Sequence, residues 1–244
     1  MKLEITKSRA LPYFFSPISR MTDKCALIVG KNTISVLSTT EDKNPILYAS
    51  FTCVTDVPDG EERTICIPDI KKLIVAMNCL SDDKITLDIS SNSIDCIQSG
   101  IKFKYHLLEE STLPKEIVSR KKINELTFDS DFVMTRDSLI SMLRGCSFAT
   151  NTEKVYFYVK DGNVFADLND KEIANSNSIM FFVTDKYNGE PIKTPLPIKM
   201  DYIKGLISLK SDVTVKVNTK LKYLQFSVKT GDFDVRYVVS PLVK

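Results

Sequence analysis

The sequence predicts an α+β chain of two similar halves, each with two helices packed on antiparallel sheets. Three observations predict it. The stretch from Cys66, CIPDIKKLIVAMNCLSDDKITLDI, returns from Pro197 as PIKMDYIKGLISLKSDVTVKV: an amphipathic segment, a short acidic turn and an alternating strand. The offset is roughly 130 residues, about half the chain and far beyond the 20–50 residues of a solenoid repeat. Most of the remaining sequence alternates in short β-branched or aromatic runs, and four segments switch to helical spacing.

In chain order, Ser8–Ile18 is the first expected helix, short or kinked because Pro12 and Pro17 lack the backbone N–H a helix needs. Strands are expected at Cys25–Val29, Thr33–Ser38, Ile46–Val54 and Arg63–Ile67, punctuated by turn residues such as Gly30-Lys31-Asn32 and Asp59-Gly60. In Asp69–Leu80 the apolar residues Ile70, Leu73, Ile74 and Met77 recur at helical spacing behind a Pro68-Asp69 start signal. Strands resume at Lys84–Ile89, Ile94–Gln98 and Ile101–Leu107. Residues 109–122 mix charge, Pro and Ser without a period and read as a linker between domains at 1–108 and 123–244.

The second half opens at Leu126–Phe128. A helix follows at Thr135–Cys146 with Leu139, Met142, Leu143 and Cys146 inward, then strands at Lys154–Val159, Val164–Asp167 and Ser178–Thr184. A second helix at Met200–Leu209 and strands near Val213–Val217, Tyr223–Val228 and Asp234–Val239 complete the order.

Composition excludes several functions. Hydrophobic residues make up 43% and charged residues 26%, an ordinary globular balance. The longest apolar runs, such as Leu73–Met77 and Ile179–Val183, are far shorter than the ~20 residues of a membrane helix. The N-terminus lacks the apolar core of a signal peptide, so the expected location is the compartment of synthesis. Six cysteines without a CxxC pair read as small buried hydrophobes of a reducing cytosol. A His-based triad or zinc site would have to use the single histidine, His106, which lies in an alternating run and reads as a strand residue; an enzyme using a buried Cys with His106 is the minor alternative. With 8 glycines there is no GxGxxG or P-loop spacing, and the pairs Glu61-Glu62 and Asp82-Asp83 read as solvated turn acids. No catalytic residue, metal or cofactor is expected.

Every expected helix carries cations on its outward positions: Lys7, Arg9 and Arg20 on or near the first, Lys71 and Lys72 on the second, Arg136 and Arg144 on the third, and Lys199, Lys204 and Lys210 on or flanking the fourth. One helix at a time, such a face is simply solvated. Presented together to one partner, they attract a phosphate backbone without reading sequence. The net charge is only +2, so concentration of these residues matters more than bulk charge.

The helix and strand DIKKLIVAMNCLSDDKITLDI, the linker with Leu113-Pro114, the duplicated element order and the terminal VRYVVSPLVK resemble DNA sliding clamps of the proliferating cell nuclear antigen (PCNA) type, including those of T-even-like phages. The resemblance spreads over the whole chain and rests on the order of the motifs. It implies two clamp domains per chain and a homotrimeric ring around duplex DNA, with the ten cations above lining the hole. It further implies a DNA polymerase as partner, an ATPase clamp loader and no catalysis. The alternative is a processivity factor of the same fold that binds DNA as a monomer or dimer through an open basic face.

By the same resemblance the strand holding Ile179, Phe181 and Val183 pairs with the strand holding Ile101, Phe103, Tyr105 and Leu107 of the next subunit; the alternative is that both are inner strands. A partner peptide is expected against Leu113, Pro114, Val238, Val239, Ser240 and Pro241, with Pro45, Ile46 and Leu47 as further wall residues. The acidic tail that follows the position of Pro241 in many relatives is not expected here. A lysine-rich, tryptophan-free composition points to a phage and hence to a bacterial cytoplasm; a eukaryotic source would make it nuclear.

Overall fold

Helices and strands alternate in two rounds of the same order. The computed structural model of the chain describes residues 1–40, 44–112, 119–146, 148, 154–169, 177–206 and 209–241, without the side chains of 203 and 204. These form two compact units, residues 1–125 with 229–235 and residues 126–228 with 236–244. The described residues 109–112 and 119–122, from the segment expected as a linker, group with the first unit.

The first unit begins with β1 (Lys2–Thr6), whose Leu3 and Ile5 point into the core. A helical stretch follows in three pieces: α1 (Lys7–Ala10), a π turn (Leu11–Phe15) and α2 (Ser16–Met21). Pro12 and Pro17 remove two N–H donors, and the backbone responds by widening to π geometry, with the Ser16 N–H donating to the Leu11 carbonyl. Phe14, Phe15 and Ile18 are thereby buried. The expected kink is a π turn, and the helical stretch is longer at both ends than the pattern Ser8–Ile18.

β2 (Cys25–Gly30), β3 (Thr33–Thr39), β4 (Ile46–Thr52), β5 (Val54–Thr55) and β6 (Arg63–Ile67) lead to α3 (Ile70–Asn78), then to β7 (Lys84–Ile89), β8 (Ser93–Gln98) and β9 (Ile101–His106). One sheet has the order β5-β1-β7-β8-β9, and β4-β3-β2-β6 form a second run, with antiparallel pairing throughout. α3 buries Ile70, Leu73 and Met77, and lies against α2 and the π turn. A 3-10 turn (Glu110–Thr112) and α4 (Arg120–Asn124) close the unit.

In the second unit β10 (Ser130–Met134) leads into α5 (Arg136–Gly145), followed by β11 (Lys154–Lys160), β12 (Asn163–Leu168), β13 (Ile179–Thr184), β14 (Tyr187–Gly189), β15 (Leu196–Lys199), α6 (Met200–Leu206), β16 (Val213–Asn218) and β17 (Tyr223–Lys229). β14-β10-β16-β17 run side by side, and the other sheet has the order β13-β12-β11-β15. Phe157 sits 6.2 Å from both Phe132 and Phe226 and ties the two sheets together. The last strand, β18 (Phe233–Val239), contributes 233–235 to the first unit and 236–239 to the second.

The sequence repeat is thus β6-α3-β7 against β15-α6-β16. Leu126–Phe128, expected to open the second half, is irregular, and its first strand begins four residues later at Ser130. Cys25, Cys53, Cys66 and Cys96 are buried as expected, but Cys79 is exposed just past α3.

Candidate nucleic-acid interface

α3 starts at Asp69, whose side chain accepts the Lys72 N–H at 3.0 Å; α5 starts at Thr135, whose side chain accepts the Ser138 N–H at 3.1 Å. The acidic turns of the repeat add a second restraint. Asp83 accepts from Ser8 N at 2.6 Å and Ser8 Oγ at 2.8 Å, and Asp212 accepts from Arg136 N at 2.9 Å. In both units, then, an acid after the second helix anchors the start of the first. Asp82 accepts from Ser99 Oγ and from Gln98 Nε2 at 2.9 Å. Asp82 and Asp83 are exposed turn acids, as expected, and these hydrogen bonds hold both carboxyls below the usual range.

The expected DNA-facing cations divide sharply by unit. In the first, Lys7 Nζ donates to the Leu80 carbonyl, Arg9 pairs with Asp232, Lys71 with Asp23 at 2.8 Å, and Lys72 with Asp69 at 3.6 Å. The hydrogen bond and charge of Asp23 raise the Lys71 pKa. Only Arg20 of this group is exposed with no acid partner among the described residues. In the second unit Arg136, Arg144 and Lys210 are exposed and have no such partner among the described residues. Lys199 is half-buried, with Nζ 6.0 Å from the centre of the Tyr202 ring. The Lys204 side chain lies outside the described residues. Exposed ion pairs contribute little, because water and salt screen both partners. The Lys71–Asp23 pair is of this kind, since both side chains are more than half exposed.

The two expected interface strands are both sheet edges: β9 ends the five-stranded sheet and β13 ends the four-stranded one. Their expected contact residues face mostly inward. Ile101, Phe103, Tyr105 and Leu107 are half-buried, and the Tyr105 hydroxyl donates to the Asp69 carbonyl at 2.6 Å and lies 2.9 Å from the Asp69 N–H. Burial pushes that phenol up to about 12. Ile179 and Phe181 are half-buried and Val183 is 3% exposed. The exposed alternates are Lys102, Lys104 and His106 on β9, and Met180 and Phe182 on β13. Period-two alternation was the signal for this second set.

Of the expected peptide-contact residues, Leu113 and Pro114 lie outside the described residues. Pro45 and Leu47 are buried within the first unit, and Val238 and Val239 within the second. These four are core positions, so the surface left from the set is Ile46, Ser240 and Pro241. A cavity of about 200 Å³ in the second unit is lined by the β14–β15 loop and the β16–β17 turn, without His, Cys or a carboxylate pair. Among the described residues no group of three or more His, Cys, Asp or Glu is placed to hold a metal ion, and no helix is long and apolar enough to cross a membrane.

No protein-family model and no curated protein matches the sequence. Solved structures match the fold along its whole length. Against the PCNA of A. fulgidus bound to the C-terminal region of FEN-1, the TM-score is 0.78 at 14% identity, covering 100% of this chain and 98% of that one. The PCNA2-PCNA3 complex of Sulfolobus tokodaii gives 0.75 at 9% identity, covering 99% of each chain. PCNA of Entamoeba histolytica gives 0.76 at 10% identity, covering 99% and 98%.

Proposed function

We propose that this chain, which has the fold of the PCNA sliding clamps, is itself a sliding clamp. It acts as a homotrimer that encircles duplex DNA and tethers a DNA polymerase, without catalysis of its own, and a clamp-loader ATPase opens it. The observation that carries this reading is the full-length match to PCNA structures. Exposed helix cations in each of the two units add to it. Contacts between Lys or Arg and phosphate hold DNA in place and carry no sequence information, so a threaded protein slides. Retention then comes from topology, and the +2 net charge suffices. The PCNA2-PCNA3 complex supports assembly through clamp subunits, and the FEN-1 segment on PCNA supports docking of a partner peptide. Here such a peptide would meet Ser240 and Pro241 in the second unit.

The test has two parts. Sedimentation should give three times the chain mass. In a polymerase assay on primed circular DNA, the triple variant Lys71→Glu, Lys72→Glu, Arg144→Glu should shorten products while sedimenting as a trimer. A monomer that binds linear duplex with steep salt dependence would overturn the ring in favour of the open-face factor.

A further inference from the structure

The four-stranded sheet of the second unit carries an apolar platform on its outward face. Met180 is 59% exposed and Phe182 56% exposed, both on the edge strand β13. Register places Phe182 beside Phe165, and Phe165 beside Tyr158, on one face. The rings are in contact: Tyr158 stacks on Phe165 at 5.6 Å and 22°, and Phe182 meets Phe165 edge-on at 6.0 Å and 73°. The Tyr158 hydroxyl lies 2.9 Å from Met180 Sδ, and Asp167 stands opposite Met180 on the same face. A pre-organised aromatic and thioether surface on an open strand edge invites association unless something covers it.

A matching counterpart lies on β9. Among the described residues β9 ends the five-stranded sheet and β13 the four-stranded one, and each has six residues. The outward row of β9 is Lys102, Lys104 and His106, all exposed. Lys102 stands opposite Ile97, and Lys104 opposite Asp95, whose carboxylate accepts from Ser93 Oγ at 2.6 Å. Neither lysine has an ion-pair partner among the described residues. The strand is held firmly from behind by the Tyr105 hydroxyl on the backbone of Asp69.

We propose that Lys102 and Lys104 of a second copy of this chain lie over the Met180 and Phe182 edge of this platform, so that the join between subunits is closed on its outer side by ammonium–aromatic contacts. This rests on the clamp reading, which supplies the β9–β13 pairing; the side-chain chemistry is what is added. Antiparallel pairing of two edges brings their outward rows to the same side of one continuous sheet. An ammonium over a ring face is attracted by its quadrupole, the lysine stems cover apolar surface, and Asp167 adds a negative charge nearby.

The test is a dilution series followed by sedimentation. Phe182→Lys places like charges together, and Phe182→Glu offers the lysines a carboxylate. The expected result is that Phe182→Lys weakens trimer assembly at least about tenfold more than Phe182→Glu, the scale of exchanging attraction for repulsion at a close charge pair. The double variant Lys104→Glu, Phe182→Lys should recover most of the loss. Both positions are exposed, and circular dichroism on each variant checks that the fold is kept. A wild-type trimer in which the two Phe182 variants behave alike, or in which the double variant is no better than Phe182→Lys alone, overturns the side-chain proposal and leaves the clamp reading standing. A wild-type monomer overturns both.

Discussion

Asp83 and Asp212 occupy the same place in the two repeats, and each accepts the backbone N–H that starts the first helix of its unit. Asp83, Asp82, Asp69 and Asp129 are all held below the ordinary carboxyl value of 3.8. For Asp129, partial burial acts upward but is outweighed by the backbone and hydroxyl hydrogen bonds of Thr219, 90 residues away, and by Ser130. A carboxyl whose folded pKa is depressed stabilises the fold fully above its unfolded pKa, and that stability is lost as pH falls through the folded value. The urea midpoint should therefore be level from about pH 8 to pH 5 and drop below about pH 4, and Asp129→Asn should flatten part of the drop. An unchanged midpoint at pH 3 would show these bonds are not made. The thiols allow a second check. Burial pushes Cys25, helped by the charge of Cys66, and Cys53 up to about 12, so neither forms thiolate near neutrality. Titration with a thiol reagent should find Cys79 fast in the native protein, and Cys25, Cys53, Cys66 and Cys96 only on unfolding; rapid reaction of four or more thiols would contradict the placement.

Among elements, α3 and α5 were legible because apolar spacing and an N-cap agreed: Ile70, Leu73 and Met77 behind Asp69, Leu139 and Met142 behind Thr135. Met77 and Met142 are both 0% exposed. Met77→Ala should cost about 2–5 kcal/mol in chemical denaturation, the range for deleting a fully buried methionine side chain; a loss under about 1 kcal/mol would mean that α3 does not cap a packed core. β1 was not legible. KLEIT offers two apolar residues between charges, and it is a strand because β5 and β7, which lie roughly 50 and 80 residues further on, hydrogen-bond its two edges. β10 escaped for the same reason, held between β14 and β16. Alternation identified β9 and β13 as strands, but their place at sheet edges came from pairing with residues elsewhere in the chain.

For the whole molecule, encirclement predicts a contrast that affinity alone does not. Once placed on closed circular DNA by a loader, the protein should stay bound through a salt rise from 50 to 500 mM and leave when the circle is cut, because a topological link contains no counterion term. Loss from the intact circle with a steep salt slope would indicate ordinary phosphate binding. In the proposed ring, Lys71 paired with Asp23 and Arg9 paired with Asp232 would exchange acids for phosphates in place of adding free charge, and the exposed guanidiniums of Arg136 and Arg144 would make the second unit the stronger phosphate contact.

By itself the amino-acid order determined the duplication, the helix cores at 70–78 and 136–145, and the strand-rich remainder, because periodicity reports backbone geometry within a few residues. Tertiary structure alone decided which strands end a sheet, which cations already hold an acid, and that Leu47 and Val239 belong to the core. Each of these depends on residues far apart in the chain, as Arg9 and Asp232 are, and local pattern contains no term for contacts of that kind.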